Sequence, residues 1–313
     1  MRLRRSLAFA VFGCCVLFGV VANHAAESSG GNWTIRKSDD AGKVEFSLIE
    51  HRHHGTSNHE SEWSMSLFSG VDFSKSGRQD VRFSIMRDAG KIDCEGFLDN
   101  GEGAGVFHFQ PDPSYPRQMH TLGFEVDDEK QYEMAVQDVS LEFARQMKGE
   151  NLSELDSDKL LAFRIFQVDA KFIDELRAAG LKMTDSDKLV AFRIHGVSPE
   201  MVRSLHEAGY SPDEDMLIAM RIHGATPEWM AALKQRGYDH LELEKLIAFR
   251  IHGVSPEFID KLQSLGYKHP DPDELIAMRI HGVTPDYIAG LRTRGMQNLS
   301  IDQLVNMRIH GID

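Results

Sequence analysis

The sequence predicts an α+β protein in two modules. An antiparallel β-meander of about six strands comes first, and a short α-solenoid of about six helical-hairpin repeats follows. Three observations carry this. The tetrapeptide Arg-Ile-His-Gly occurs five times, placing His195, His223, His252, His281 and His310 28 or 29 residues apart, and a fixed period of that size marks stacked supersecondary units. The first four copies are each followed by Ser-Pro or Thr-Pro and an acid, the signature of a helix start, and then by a Gly-Tyr or Gly-Met stop. Before residue 110 the pattern is instead one of short runs with period two, as in Val44-Glu45-Phe46-Ser47-Leu48 and Arg82-Phe83-Ser84-Ile85, which a half-buried strand requires.

From the N-terminus, Arg2, Arg4 and Arg5 precede an apolar run of 16 residues (7–22) that ends in the small residues Val20-Val21-Ala22. A membrane span needs about 20 apolar residues, so residues 1–22 are expected to be a signal peptide. A tether through the uncleaved segment is the alternative. Its removal takes Arg2, Arg4, Arg5, Cys14 and Cys15 away, shifts the net charge from −13 to −16 and leaves Cys94 as the lone cysteine. The mature fold is then expected to rest on its core without an internal disulfide. The acidic balance argues against nucleic acid or an anionic membrane as the main partner. Residues 23–32, with Glu27-Ser28-Ser29-Gly30-Gly31-Asn32, are expected to form a flexible leader.

Strands of the β domain (33–110) are expected at 33–36, 43–50, 62–68, 81–87, 91–98 and 105–109. Asp88-Ala89-Gly90-Lys91 and Asp99-Asn100-Gly101 supply turns that tolerate positive φ. His51, His53, His54 and His59, with Glu60 and Glu62, read as a polar loop between two strands. They are weak candidates for a transition-metal site, since imidazoles in that spacing have suitable atoms but such loops are ordinarily solvated.

Residues 111–313 form the repeat array. In its best-formed unit Ser198 is the N-cap, Pro199 takes the first helical position, Glu200 complements the positive end of the dipole and Gly209 is the stop. Met201, Val202 and Leu205 share one face. The second helix, as in Leu246-Ile247-Ala248-Phe249-Arg250-Ile251, is apolar on most sides and is expected to be buried between neighbours. Degenerate copies at Arg164-Ile165-Phe166-Gln167 and Gln137-Asp138-Val139-Ser140 extend the array backwards, and its first hairpin is expected to dock on the sheet as a cap.

Few residues suggest chemistry. Neighbouring repeat histidines stand at least one helix-packing distance apart, about 8–10 Å, whereas nitrogens sharing a zinc ion lie within roughly 3–4 Å of each other. The repeated Arg and His are therefore expected to complement the negative end of helix two, and Arg193, Arg221, Arg250, Arg279 and Arg308 to pair with Glu200, Glu228, Glu257 and Asp286 in an internal ion-pair ladder. His59-Glu60-Ser61-Glu62-Trp63 and His206-Glu207-Ala208-Gly209-Tyr210 both fail the zinc-peptidase pattern. Neither a nucleophile elbow nor a phosphate loop is found, and Gly101-Glu102-Gly103-Ala104-Gly105 reads as a hairpin turn. Cys94 reads as a packed thiol. The sequence thus calls for no enzyme activity and no cofactor.

Gly196-Val197-Ser198-Pro199 and Ala208-Gly209-Tyr210 resemble the hairpin of helix-hairpin-helix DNA-binding modules. Here, however, the second small residue is a cap and an acid follows each would-be phosphate site, which weighs against nucleic acid. The repeated Leu-x-x-[Phe/Met]-Arg-Ile-His-Gly-Val-[Ser/Thr]-Pro-[Glu/Asp] and Leu-x-x-x-Gly-Tyr blocks, preceded by Arg87-Asp88-Ala89-Gly90 and Cys94-Glu95-Gly96, resemble bacterial secreted helical-repeat regions. These include the sensor tails of membrane metallopeptidases of the β-lactam-sensor type. The resemblance implies an envelope location (periplasmic or extracellular) and a recognition or sensing role, with no catalysis, because the peptidase's own motif is missing. The expected function is an exported, non-catalytic scaffold that binds a protein partner. Repeat arrays vary their exposed positions and keep their core ones, which points to Arg203, His206, Glu207, Lys234, Gln235, Lys261, Gln263 and Arg292 in helix one. A pH- or metal-responsive envelope sensor acting through the histidines is the alternative; a hydrolase in the β domain is a third, for which the sequence shows no residues and which would need a pocket joining His108 to a carboxylate.

Overall fold

The structure, a computed structural model, describes residues 30–52 and 55–312. The expected signal peptide at 1–22, most of the leader, and His53 and His54 lie outside the described residues. Six antiparallel strands form one sheet: β1 (Gly30–Lys37), β2 (Lys43–Arg52), β3 (Gly55–Ser64), β4 (Arg78–Arg87), β5 (Gly90–Asp99) and β6 (Glu102–Pro111). The leader assigned to 23–32 is corrected at its end, because the backbone of Gly30 and Gly31 already pairs with β6 and Gly31 with Glu50 of β2. The third strand runs earlier than the 62–68 expected from its apolar residues. Met65–Leu67 is a 3-10 turn, and Phe68 folds back into the core.

Strand order is β3-β2-β1-β6-β5-β4. Two three-stranded meanders are thus joined through the first and last strands, with Trp33 opposite Gly105, rather than following one another in chain order. The inner face carries Trp33, Ile35, Phe46, Leu48, Phe83, Ile85, Phe107 and Phe109, all buried. Phe46 sits among Trp33, Trp63, Phe68 and Phe83, with ring centroids 5.2 to 6.3 Å away. The β5–β6 turn is the expected one, since Asn100 and Gly101 have φ of 53° and 86° and two positive φ values match the twist of a tight hairpin.

Fourteen helices follow among the described residues: α1 (Tyr115–Leu122), α2 (Asp128–Val136), α3 (Leu141–Gly149), α4 (Ser157–Ile165), α5 (Ala170–Ala178), α6 (Ser186–His195), α7 (Pro199–Glu207), α8 (Glu214–His223), α9 (Pro227–Lys234), α10 (Leu243–His252), α11 (Pro256–Ser264), α12 (Pro272–Ile280), α13 (Pro285–Thr293) and α14 (Ile301–Ile309). They pair into seven hairpins, one more than expected. The caps are as read from the sequence: Ser198, Thr226, Ser255 and Thr284 each accept from the backbone N–H three residues on. Each helix two is followed by one left-handed residue. Glycine fills that place from Gly196 to Gly311, but Asp138 and Gln167 take it in the degenerate copies, at φ of 55° and 57°. The backbone thus keeps the period where the motif has decayed.

Second helices stack on second helices, burying Leu160, Leu189, Leu217, Leu246, Leu275 and Leu304 in one continuous column. The first hairpin is the cap that was expected. Tyr132 of α2 stacks on Phe107 with centroids 6.1 Å apart, and Gln131 Nε2 donates to the carbonyls of Ala89 (2.7 Å) and Asp112 (2.8 Å). Asp138, at the first left-handed position, pairs with Arg87 of the sheet at 3.3 Å and Arg164 of α4 at 3.2 Å. The sheet and the array thereby share one carboxylate.

Candidate binding edge of the array

The Arg of each repeat meets the negative end of a helix two, as expected, but the end is that of the preceding hairpin and the partner is no carboxylate. Arg221 Nε donates to the His195 carbonyl (3.0 Å), Arg250 to His223 (3.0 Å), Arg279 to His252 (3.2 Å) and Arg308 to His281 (3.4 Å). Each guanidinium thus closes the C-terminal end of the preceding helix two, where unpaired carbonyls and the negative end of the dipole collect. Four of the five also lie over a ring of their own helix one: Arg193 over Phe172 at 3.7 Å, Arg250 over Trp229 at 5.3 Å, Arg279 over Phe258 at 5.1 Å and Arg308 over Tyr287 at 4.8 Å. The glycine after each histidine keeps the approach open, for a Cβ on Gly196, Gly224 or Gly253 would stand 2.7 Å from the next arginine. The ion-pair ladder from these arginines to Glu200, Glu228, Glu257 and Asp286 is therefore corrected: a backbone carbonyl takes the place of the carboxylate, and Glu200 pairs with Arg203 instead. A charge ladder does exist elsewhere, between Lys130 and Asp158, Lys159 and Asp187, Lys188 and Asp215, and Lys245 and Asp273.

The isoleucine of each tetrapeptide also departs from expectation. Ile165, Ile194, Ile222, Ile251, Ile280 and Ile309 are 53–56% exposed and line one ridge of the array. Helix two is apolar on most sides in sequence, but the neighbouring hairpins cover only the faces bearing Leu246 and Phe249.

On the other edge, six of the eight expected binding residues are exposed as expected: Arg203, Glu207, Lys234, Gln235, Lys261 and Gln263. His206 and Arg292 are corrected. The His206 ring packs so closely on the preceding hairpin that a Cβ on Gly180 would meet it at 2.8 Å, and the Arg292 guanidinium donates to the Leu265 carbonyl. Both side chains turn inward to cover the end of the previous helix one. The tyrosines of the Gly-Tyr stops bond forward: Tyr210 donates to the Leu241 carbonyl (3.0 Å), Tyr238 to Pro270 (2.8 Å) and Tyr267 to Leu299 (2.8 Å).

Between α7 and α9 this edge opens into a cleft of about 240 Å³, lined by Leu205, Met230, Tyr238 and Leu246 and rimmed by Lys234 and His240. The seam one repeat on is closed at the matching place. There Arg236 holds Asp260 through two bonds of 2.7 and 2.6 Å, and His269 stacks on Tyr238 with centroids 4.5 Å apart and planes 5° from parallel. The residues that match Arg236 and Asp260 at the open seam are Ala208 and Ala231. No charged motif marks this cleft. Only an alignment of one repeat on the next shows that two long side chains are missing.

The remaining candidates are dispersed. His51 and His59 do not sit in a loop: they belong to β2 and β3, opposite Thr56 and Leu48 respectively, because the two strands stay paired as far as Arg52 and Gly55. His59 packs near Tyr132 and bonds Ser57. No group of three metal-ligating side chains occurs among the described residues. His108 stands beside Asp93, and Asp93 beside Ser84, on adjacent strands. Ser84 donates to Asp93 and Lys91 pairs with the same carboxylate at 2.8 Å, so the hydroxyl is committed to the acid instead of to an imidazole. Cys94 is buried, and burial pushes its thiol pKa far up. No helix among the described residues is long and apolar enough to cross a membrane. No protein-family model matches this chain and no curated protein matches it, so the function of the edge is read from its own residues.

Proposed function

We propose that this chain is an exported, non-catalytic scaffold that binds a protein partner through the helix-one edge of its array. One observation carries the reading. The arginine and tyrosine bonds that join the hairpins recur from repeat to repeat, whereas the exposed helix-one positions differ at each: Arg203 and Glu207, then Lys234 and Gln235, then Lys261 and Gln263. A rigid frame with a variable, solvent-facing row is how solenoids present a surface. An envelope location for this chain is supported by its basic, apolar N-terminal sequence. The test is affinity capture from envelope extracts with the tagged full chain, beside a variant with those six residues changed to serine. A protein held by the wild type and lost by the variant supports the proposal. Equal retention by both, or by neither, overturns it.

A further inference from the structure

We propose that the α7–α9 cleft is an anchor pocket for one tryptophan side chain of the protein partner. This rests on the helix-one edge being the binding edge and adds where on it the partner is gripped and by what.

The molecule itself shows what kind of group fits there. At the next seam the corresponding place is filled by the chain's own ring: His269 lies flat on Tyr238, and its Nε2 donates to the Gly237 carbonyl at 3.0 Å. The equivalents at the open seam are His240, Tyr210 and Gly209. His240 shares the left-handed backbone of His269, with φ of 58° against 50°. Its side chain nevertheless points to solvent, 83% exposed and 3.5 Å from Asp239. A Cβ on Gly209 would meet nothing within 4 Å, whereas one on Gly237 would meet the His269 ring at 2.9 Å. The open place therefore offers a tyrosine face to stack on and a backbone carbonyl aligned to accept an N–H.

It is also larger than an imidazole needs, because Ala208 and Ala231 stand where the neighbouring seam holds the Arg236–Asp260 pair. Its floor is apolar, made by Leu205, Pro227, Met230 and Leu246. A flat, mostly apolar bicyclic ring with a single N–H donor matches each of these features. Buried indoles in such pockets dominate the energetics of protein interfaces. Phenylalanine lacks the donor, leucine lacks the ring, and an anionic group would meet an apolar floor.

The pocket is tested without the partner, by titrating N-acetyl-tryptophanamide into the full-length protein and following backbone amides by NMR. Saturable shifts confined to the neighbourhood of Gly209, Tyr210, Ala231 and His240 are expected, with a dissociation constant on the order of 1 mM for a single buried ring. The double variant Ala208→Arg, Ala231→Asp copies the closed seam into the open one. It is expected to weaken the probe by about tenfold or more while its spectrum elsewhere is retained. Should that variant unfold, Ser204→Trp, on the exposed wall of the cleft, gives the same block. N-acetyl-leucinamide is expected to bind at least about tenfold more weakly than the indole. Absence of saturable shifts, equal binding to the filled variant, or equal binding of the leucine probe each overturns the proposal. The scaffold reading stands or falls separately, on the capture experiment.

Discussion

The sheet and the array are held together by different geometries, and the contrast says how each should fail. In the sheet the first strand pairs with the last, so that Trp33 lies opposite Gly105, and the aromatic group around Phe46 draws on β1, β2, β3 and β4 at once. No part of that arrangement is complete until nearly all of it is. In the array each hairpin meets its neighbours through arginine bonds and a leucine column, and the last three seams add a tyrosine bond. Stability there is a sum over seams, as in other solenoids, and damage stays near its origin.

The largest effect is expected in the sheet. Phe46→Ala removes a fully buried ring and should cost about 3–5 kcal/mol, exposing amides of all six strands together in hydrogen exchange. Cys94 provides a second readout: its buried thiol, held protonated, should resist alkylation until the sheet opens, and in this variant should be modified along with the loss of amide protection. If α10–α14 lose protection in step with the sheet, the two regions are one cooperative unit and the contrast breaks.

In the array the corresponding damage is local and smaller. Gly253→Ala combines a left-handed backbone with a Cβ 2.7 Å from Arg279, and should cost about 1–2 kcal/mol. Arg279→Met should cost about 1 kcal/mol through the lost bond to the His252 carbonyl. Because both act on one contact, the double variant should cost less than the sum, a non-additivity that a urea series would show. Additive costs would mean that the guanidinium and the glycine do not share a contact.

The smallest effects belong to the surface ion pairs. Lys245→Ala, which breaks the pair with Asp273, should change stability by less than about 1 kcal/mol and by less still in high salt. The Arg236–Asp260 pair sharpens the picture through pH. Hydrogen bonding from Arg236 holds the Asp260 carboxyl below the usual aspartate range. A carboxyl pKa lowered by folding stabilises above the ordinary aspartate value, and the contribution fades as pH falls through the folded one. Wild type should therefore exceed Asp260→Asn in stability near neutral pH, and the two should converge as pH falls through the lowered value of the folded Asp260 carboxyl. A difference that persisted in acid would place the stabilisation in packing rather than charge.

Much of this was legible in the sequence, and the rest was hidden for identifiable reasons. The period, the caps and the stops are written in short-range chemistry, with Ser198, Pro199 and Gly209 each doing the job its residue type allows. Strand order was not legible, because pairing Trp33 with Gly105 depends on closure across the whole module. Sequence points the arginines to carboxylates because it displays charge and conceals carbonyls. Ile251 reads as a core residue because an apolar pattern does not say which of its faces a neighbour covers. The exposed row was found as far as Lys234 and Gln263. Its cleft was missed because it is created by two alanines, and an absence leaves no motif.

The bonds that close each seam run in opposite directions along the chain. Every arginine reaches back to a hairpin already made, as Arg250 does to His223, while every tyrosine reaches forward to a loop still to come, as Tyr210 does to Leu241. A chain emerging from the ribosome can therefore dock each new hairpin on a finished surface as soon as its second helix is complete, leaving one hydroxyl for its successor to satisfy. Such an array can zip in the order of its synthesis, with the sheet and its capping hairpin, made first, as the template on which it starts.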